Sequence, residues 1–266
     1  MSSLLQISDT HFGTEQPLVV DALTALARQQ RPDLLVLSGD ITQRARPAQF
    51  RAARALTDRL GLPLLAVPGN HDIPLFDLWT RLRRPYARHI EAFGDDLEPV
   101  HSSPDLMVVC VNTTRAWRHK HGEISALQVD RVARILQRAH AAQLRVVVVH
   151  QPAAVMRPQD LENRLRGHAA ALPRLAAAGA DVVMGGHIHL PYVMALEGLA
   201  RPMWVVQAGT AVSSRVRAGV PNSVNLLRWA GADAPPGCCL VEQWDYSAAE
   251  QAFVLAKVSE VRPART

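Results

Sequence analysis

The chain is poor in cysteine, lysine, aromatic residues and long apolar runs. Three cysteines occur in 266 residues, Cys110, Cys238 and Cys239, and two of them are adjacent. An odd number at that spacing makes a poor disulfide framework, and no CxxC pair offers a thiolate metal site. Cys110 lies in an apolar run and reads as a small buried side chain. The strongest apolar run, VVVV at 146–149, is far too short to span a bilayer. The opening residues, MSSLLQISDT, show neither the basic region nor the apolar core of a signal peptide. The expectation is a cytoplasmic protein with no membrane partner.

Lysine is nearly missing. Lys120 and Lys257 stand alone, so the formal net charge of +5 rests on arginine. A basic surface would attract nucleic acid or phosphorylated substrates; a preference for Arg over Lys, in a chain also rich in Ala and Pro, is the simpler reading. No basic run is dense enough to form a polyanion-binding tail. Aromatic residues make up 5% of the chain and do not interleave with the basic ones, so nucleic acid is not the expected partner.

What is present is an ordinary globular composition, 48% hydrophobic and 20% charged. The length suffices for one large α/β domain or two small ones. Short apolar runs at 3–8, 33–38 and 62–67 alternate with stretches of helical apolar spacing at 18–30 and 47–60. That is two successive βαβ units and therefore a parallel sheet. Residues 73–104 are less regular and read as an insert that caps a site, with Trp79, Tyr86 and Phe93 either stacking on a ligand or packing on the core. Strands follow at 106–112, 144–149 and 180–185, with helices at 125–142, N-capped by Ser125, and at 168–178. After 190 the pattern changes to short strands without helices, at 192–197, 203–208, 223–228, 238–245 and 251–258. These predict a more antiparallel second sheet, with a Gly/Pro turn near 231–237.

The polar residues fall at strand ends. The first strand ends in SDTHFG, with Asp9 and His11; the second in SGDIT, with Asp40; the third in PGNHDI, with Asn70 and His71. The strand at 144–149 ends in His150 and the one at 180–185 in GGHIH, with His187 and His189. Each alone suits a cap or a structural hydrogen bond. Together they place two Asp, one Asn and four or five His on the carboxyl edge of the sheet, where α/β folds form ligand sites. Oxygen and imidazole donors suit Zn, Mn, Fe or Ni. Seven or eight donors exceed one ion's needs, whereas two ions sharing a carboxylate use them well.

This ordered set, DxH (9–11), GD (39–40), GNHD (69–72), a lone His (150) and GHxH (186–189), resembles the calcineurin-like metallophosphoesterase superfamily. It covers about two-thirds of the chain with no ligand replaced. The GT…SSRVRAG…PNS stretch at 209–223 is similar to the bacterial class III cyclic-nucleotide-phosphodiesterase-like branch. The resemblance implies a four-layer α/β/β/α sandwich of two mixed sheets flanked by helices, as one domain over 1–266 with 190–266 completing the second sheet. It implies that Asp9, His11 and His189 hold one metal, that Asn70, His150 and His187 hold the other, and that Asp40 bridges them. The ions would be Mn, Fe or Zn, holding between them the hydroxide that attacks phosphorus. His71 faces the substrate phosphate as a catalytic group, and Asp72 orients a neighbour or caps a turn. Gly185 and Gly186 would let the backbone approach the metals, with His187 and His189 pointing to one side of an extended chain.

The expected substrate is a small phosphodiester, cyclic-nucleotide-like or glycerophosphodiester-like. A nuclease, a phosphomonoesterase or a metal-binding scaffold without turnover are the competing readings. Arg115, Arg118, His119 and His121, after the 106–112 strand, and Arg166, beside Arg164 and His168, are candidate substrate contacts. His89, His101 and His140 receive no role. A homodimer is expected, with the β-rich tail as contact surface.

Overall fold

In the computed structural model, which describes residues 2–230 and 237–264, two six-stranded sheets lie face to face. β1 (Ser2–Ile7), α1 (Pro17–Gln30), β2 (Leu34–Ser38), α2 (Pro47–Leu60) and β3 (Leu64–Val67) form the two expected βαβ units. β1, β2 and β3 pair in parallel. Pro17 and Pro47 occupy the first helical turns, where a missing N–H costs nothing. Arg31 and Gly61 close the two helices in the left-handed region.

The second half repeats the plan. α3 (Leu78–Arg83), α4 (Ala87–Phe93) and β4 (Val100–Ser102) lead into β5 (Leu106–Cys110), α5 (Ala126–Leu136), β6 (Leu144–Val148), α6 (His168–Ala177) and β7 (Val182–Gly185). Then come β8 (Tyr192–Ala195), β9 (Trp204–Gln207), β10 (Ser223–Trp229), β11 (Cys239–Ser247) and β12 (Ala252–Val261). The first sheet runs β12-β11-β10-β1-β2-β3 and the second β4-β5-β6-β7-β9-β8. Val36, Val67, Val108, Val146, Val182 and Trp229 are among the residues filling the space between the sheets. The outer face of the first sheet is covered by α1 and α2 through Leu23, Leu26, Ala53 and Leu56. α5 and α6 cover the second through Val129, Val132, Ala171 and Leu175. This is the expected four-layer α/β/β/α sandwich.

The tail from 190 to 266 does not complete the second sheet alone. β8 and β9 do join it, but β10, β11 and β12 extend the first sheet antiparallel from the edge of β1. The βαβ run leaves one edge of β1 open, and an unpaired strand edge demands a partner. β10 supplies it with a seam of buried amides, in which Asn225 Nδ2 donates to Gln6 Oε1 at 2.9 Å and to the Gln207 carbonyl at 3.1 Å.

Ser125 caps α5 as expected, accepting from the Gln128 N–H, but the helix stops at Leu136 rather than at 142. The following turn is closed by Gln143, whose carbonyl oxygen accepts from the His140 N–H while its amide donates to Ser102 Oγ. Residues 73–104 pack to the side of the sandwich. Phe93 and His89 of α4 meet Phe50 of α2, Tyr86 shares a hydrogen bond with the Thr114 hydroxyl, and β4 pairs antiparallel with β5. The turn expected near 231–237 lies mostly outside the described residues. No helix among them is long and apolar enough to cross a membrane.

Candidate metal centre

Five strand ends converge on one cavity. β1 delivers Asp9 and His11, β2 delivers Asp40, β3 delivers Asn70 and His71, β6 delivers His150, and β7 delivers His187 and His189. The site thus draws on the carboxyl ends of parallel strands from both sheets. The loops are laced by backbone hydrogen bonds, Asp9 N–H to Gly39 O, His11 N–H to Asp40 O and Gly186 N–H to His150 O.

The backbone here is bent unusually hard. Asp9, His11, Asp40, His187 and His189 have φ of 51, 40, 48, 75 and 53°, a region that side-chain-bearing residues seldom adopt. Such strain persists only where surrounding structure enforces it, and it concentrates at functional sites. His187 sits inside a three-residue turn closed by the Ile188 N–H on the Gly186 carbonyl at 2.9 Å. The two histidines of GHIH therefore reach the site from a left-handed turn, not from the extended chain expected. The neighbouring glycine is needed for approach, because a Cβ on Gly186 would collide with the Ser8 hydroxyl and the Asp9 carboxylate. Gly69 has the same constraint against the backbone and carboxylate of Asp40.

The donor atoms fall into two groups around Asp40. In one, His189 Nε2 lies 3.2 Å from both Asp9 Oδ1 and His11 Nε2. In the other, Asp40 Oδ1 lies 3.2 Å from His150 Nε2, and His187 stacks edge-on to His150 with ring centroids 5.2 Å apart. The other Asp40 oxygen, Oδ2, lies 3.9 Å from His11 Nε2. One carboxylate oxygen thus faces each group. Each of Asp9–His11–His189 and Asp40–His150–His187 can offer three donor atoms to one ion.

Hydrogen bonding sets the histidines up as ligands. His150 Nδ1 donates to the Ser38 carbonyl at 2.9 Å and His189 Nδ1 to the Arg215 carbonyl at 2.5 Å. A carbonyl only accepts, so each ring carries its proton on Nδ1 and turns Nε2 inward, as metal-ligating histidines do. Asn70 Oδ1, His150 Nε2 and His187 Nδ1 are buried with no hydrogen-bond partner among the described residues. His150 Nε2 faces Asp40 Oδ1 at 3.2 Å, and that carboxylate favours a proton on it when no cation is there. The other two, Asn70 Oδ1 and His187 Nδ1, are desolvated acceptors without donors, costly in an empty site and satisfied by a cation. The residues present therefore fit metal ions.

The charges are strongly perturbed. Burial opposes ionisation of Asp9, but His189 beside it outweighs that and brings its carboxyl down to about 2. Asp40 goes the same way against burial, held well below the usual range by His150 and His71. Burial pushes His11 and His187 down to about 3, so both rings are neutral. Burial also opposes charging of His150, yet the adjacent Asp40 carboxylate wins and raises it to about 9. His189 is raised likewise, by Asp9 against burial.

His71 is placed differently. Its Nδ1 donates to the Gln43 carbonyl at 2.9 Å, and its Nε2 lies 3.3 Å from Arg215 Nη1. A guanidinium against that nitrogen keeps a metal ion away, although His11, Asp40 and His71 stand close enough to suggest a third group. Asp72 ties the site together as a latch. Its carboxylate, 1% exposed, accepts from the N–H of Gly69, Ile41 and Thr42 and from the Thr42 hydroxyl, at 2.8 to 3.0 Å. The loop bearing Asp40 is thereby fastened to the loop bearing Asn70. Burial and the charge of Asp40 push Asp72 up to about 6 despite those donors.

A cleft of about 450 Å³ opens over these groups, lined by Asp40, Asn70, His71, His187 and His189 and, farther out, by His119, Lys120, Asp160, Asn163, Arg215 and Arg217. Of the candidate substrate contacts, His119 lines it. Arg115 does not: its guanidinium is tied to the Asn112 and Thr114 carbonyls and to Gln128. Arg118 is paired with Glu123 at 3.0 Å, and Arg166 is held by its backbone against Gly122 and Ile124. His121 also falls outside the lining, as does every residue of 73–104. That segment does not cap the cleft, because α4 is anchored on α2.

A family model described as calcineurin-like phosphoesterase matches residues 2–191. The chain belongs to this family. Among curated relatives of this calcineurin-like phosphoesterase, a cAMP/cGMP dual specificity phosphodiesterase of Mycobacterium tuberculosis is 29% identical over 201 residues, 70% of this chain and 61% of that one. A glycerophosphodiester phosphodiesterase of Enterobacter lignolyticus is 39% identical over 82 residues, 26% of this chain and 29% of the relative. The matched stretches thus span less than two-thirds of either relative. In three dimensions, a dimetal phosphatase from Danio rerio superposes with a TM-score of 0.67 at 14% identity, covering 99% of both chains, which shows a common fold.

The phosphoesterase cleft contains residues that sequence reading missed. Arg215 Nη1 reaches Gln43 Oε1 at 2.9 Å, His11 Nδ1 at 3.2 Å and His71 Nε2, and no carboxylate among the described residues pairs with it. Arg217 grips both Asp160 oxygens at 3.0 Å. The one sequence signal was the SSRVRAG stretch, noticed as a resemblance without a role.

Proposed function

We propose that the protein is a phosphodiesterase that binds two metal ions and hydrolyses small phosphodiesters. The observation that carries this is the position of Asp40, one carboxylate oxygen facing each of two ligand groups. Asp9, His11 and His189 would hold one ion, Asn70, His150 and His187 the other, and Asp40 would be shared between them. Two divalent ions supply charge neutralisation at the phosphoryl oxygens and a water of lowered pKa. Mn, Fe and Zn all suit the donor set.

The remaining work falls to the chain's own groups. Arg215, half-buried and unneutralised, offers its N–H donors to a non-bridging phosphoryl oxygen, where a planar guanidinium is well matched. His71 is fixed through Nδ1 and turns Nε2 to the cleft; with Arg215 turned to the phosphoryl oxygen, its doubly protonated ring gives the Nε2 proton to the leaving oxygen and is left neutral. His119, Lys120 and Asn163 line the outer cleft and contact the substrate's remaining group. The protein acts in the cytoplasm in this reading, as a single catalytic domain.

The test compares bis(p-nitrophenyl) phosphate with p-nitrophenyl phosphate after chelation and readdition of Mn, Zn or Fe. Metal-restored cleavage of the diester with little monoester cleavage supports the reading. Preferred monoester cleavage replaces it with a phosphomonoesterase, and stoichiometric metal with no turnover replaces it with a binding scaffold. Salt-dependent binding and cleavage of an oligonucleotide would favour the nuclease reading.

A further inference from the structure

The segment beside the cleft leaves an apolar face without a partner. α3 buries none of its residues. Leu78, Trp79 and Leu82 share one face at helical spacing and are 64, 69 and 80% exposed, with Phe76 just before them at 80%. Trp117, on the adjoining loop, is 76% exposed. A helix this short does not hold itself in water; α3 is held by polar ties on its other sides. Asp77 caps it through the Thr80 N–H and pairs with Arg88 at 2.8 Å. Arg81 donates to the Pro74 and Arg118 carbonyls. The chain thus orders α3 without using its apolar face.

Charge decides what that face fits. Arg83 lies over the Trp79 ring at 4.6 Å and Arg44 over the Phe76 ring at 5.8 Å, with Arg84 next in sequence. No carboxylate among the described residues forms an ion pair with Arg44, Arg83 or Arg84 within 4 Å, and Asp77 is already taken by Arg88. Large apolar side chains flanked in space by arginines suit the boundary of an anionic bilayer, where rings and aliphatic chains enter the headgroup layer and the cations meet lipid phosphates. A symmetric contact with a second copy would bring the same arginines face to face. Polynucleotide binding would use the cations but leave the leucines in water.

We propose that the face formed by Phe76, Leu78, Trp79, Leu82 and the flanking arginines docks the protein on an anionic lipid surface. The contact is peripheral. It also sets the cleft beside the headgroup layer, since Arg81 of α3 donates to the carbonyl of Arg118, whose neighbour in sequence, His119, lines the cleft.

The experiment is cosedimentation of the full chain with vesicles of phosphatidylcholine alone and of phosphatidylcholine with an equal part of phosphatidylglycerol. The expected result is binding to the mixed vesicles, little to the neutral ones, and loss on raising salt. Phe76→Ser with Trp79→Ser, and separately Arg83→Gln with Arg84→Gln, should each weaken binding by about tenfold or more. Melting temperature and hydrolysis of a soluble diester should stay unchanged in both. Absence of binding, binding indifferent to the four substitutions, or a concentration-dependent dimer dissolved by Trp79→Ser would each overturn the proposal.

Discussion

The metal-free protein should lose stability as pH rises from 6.5 to 9, and the metal-loaded protein should not. The perturbation is chelation followed by a pH series, and the groups responsible are His150, beside Asp40, and His189, beside Asp9. In the fully buried pair with Asp40 the pKa of His150 is raised from 6.5 to about 9. A folded-state pKa above the unfolded one adds stability that is complete below the unfolded value and lost as pH passes through the folded one. The rise corresponds to about 3 kcal/mol, which for a chain of this length moves Tm by about 5 °C. Below 6.5 the slope reverses. Burial lowers His11 and His187 to about 3 and His89 to about 4, so acid costs stability by forcing protons onto them or onto the unfolded chain. Tm of the chelated protein should therefore peak near pH 6.5. Bound cations replace the His150 and His189 protons, which removes the alkaline decline and makes metal affinity rise about tenfold per pH unit for each proton displaced. Melting curves with and without chelator check this, with His150→Gln as the variant that should lessen the decline and leave the part due to His189. A flat profile for the chelated wild type, or Tm rising between pH 7 and 9, would refute the pairing of His150 with Asp40.

Three further outcomes are expected. Arg215→Met should lower kcat/KM for the diester by about a hundredfold, the usual effect of removing one donor to a developing charge, with both metals still bound by elemental analysis. His71→Ala should lower kcat by roughly 10²- to 10⁴-fold and leave metal content unchanged, because its nitrogens serve Gln43 and Arg215. Asp72→Ala should lower stability in a denaturant titration at pH 5, below the raised value of about 6 above which burial and Asp40 oppose its charge, since the N–H groups of Gly69, Ile41 and Thr42 lose their acceptor at roughly 1–3 kcal/mol each, and it should reduce metal affinity although Asp72 is no ligand in this reading.

The strand ends were legible because alternation of apolar runs with helical spacing fixes where parallel strands stop, and polar residues at those stops have one common edge to occupy. Asp9, Asp40, Asn70, His150 and His187 needed nothing more. The sheet that takes β10, β11 and β12 was not legible: short antiparallel strands carry no mark of which open edge they will join, and the buried Gln6–Asn225 amide pair shows only once the strands meet. Arg215 and Arg217 escaped for a similar reason, since a loop after β9 carries them back over a site built mostly from residues before 190. The candidate contacts Arg115, Arg118 and Arg166 are close to the cleft in sequence, but their guanidiniums or backbones are spent on Gln128, Glu123 and Gly122. The left-handed backbone of five residues of the site has no sequence mark in Asp and His, so the extended geometry expected for His187 and His189 is a default that tertiary structure overrides.

The measurement closest to the central claim is metal stoichiometry in the bridging variant. Elemental analysis of wild type, Asp9→Asn and Asp40→Asn after identical loading should give two ions, one ion and none, because Asp40 alone serves both groups. Two ions retained in Asp40→Asn, with the fold intact by circular dichroism, would contradict a shared carboxylate and with it the dinuclear centre.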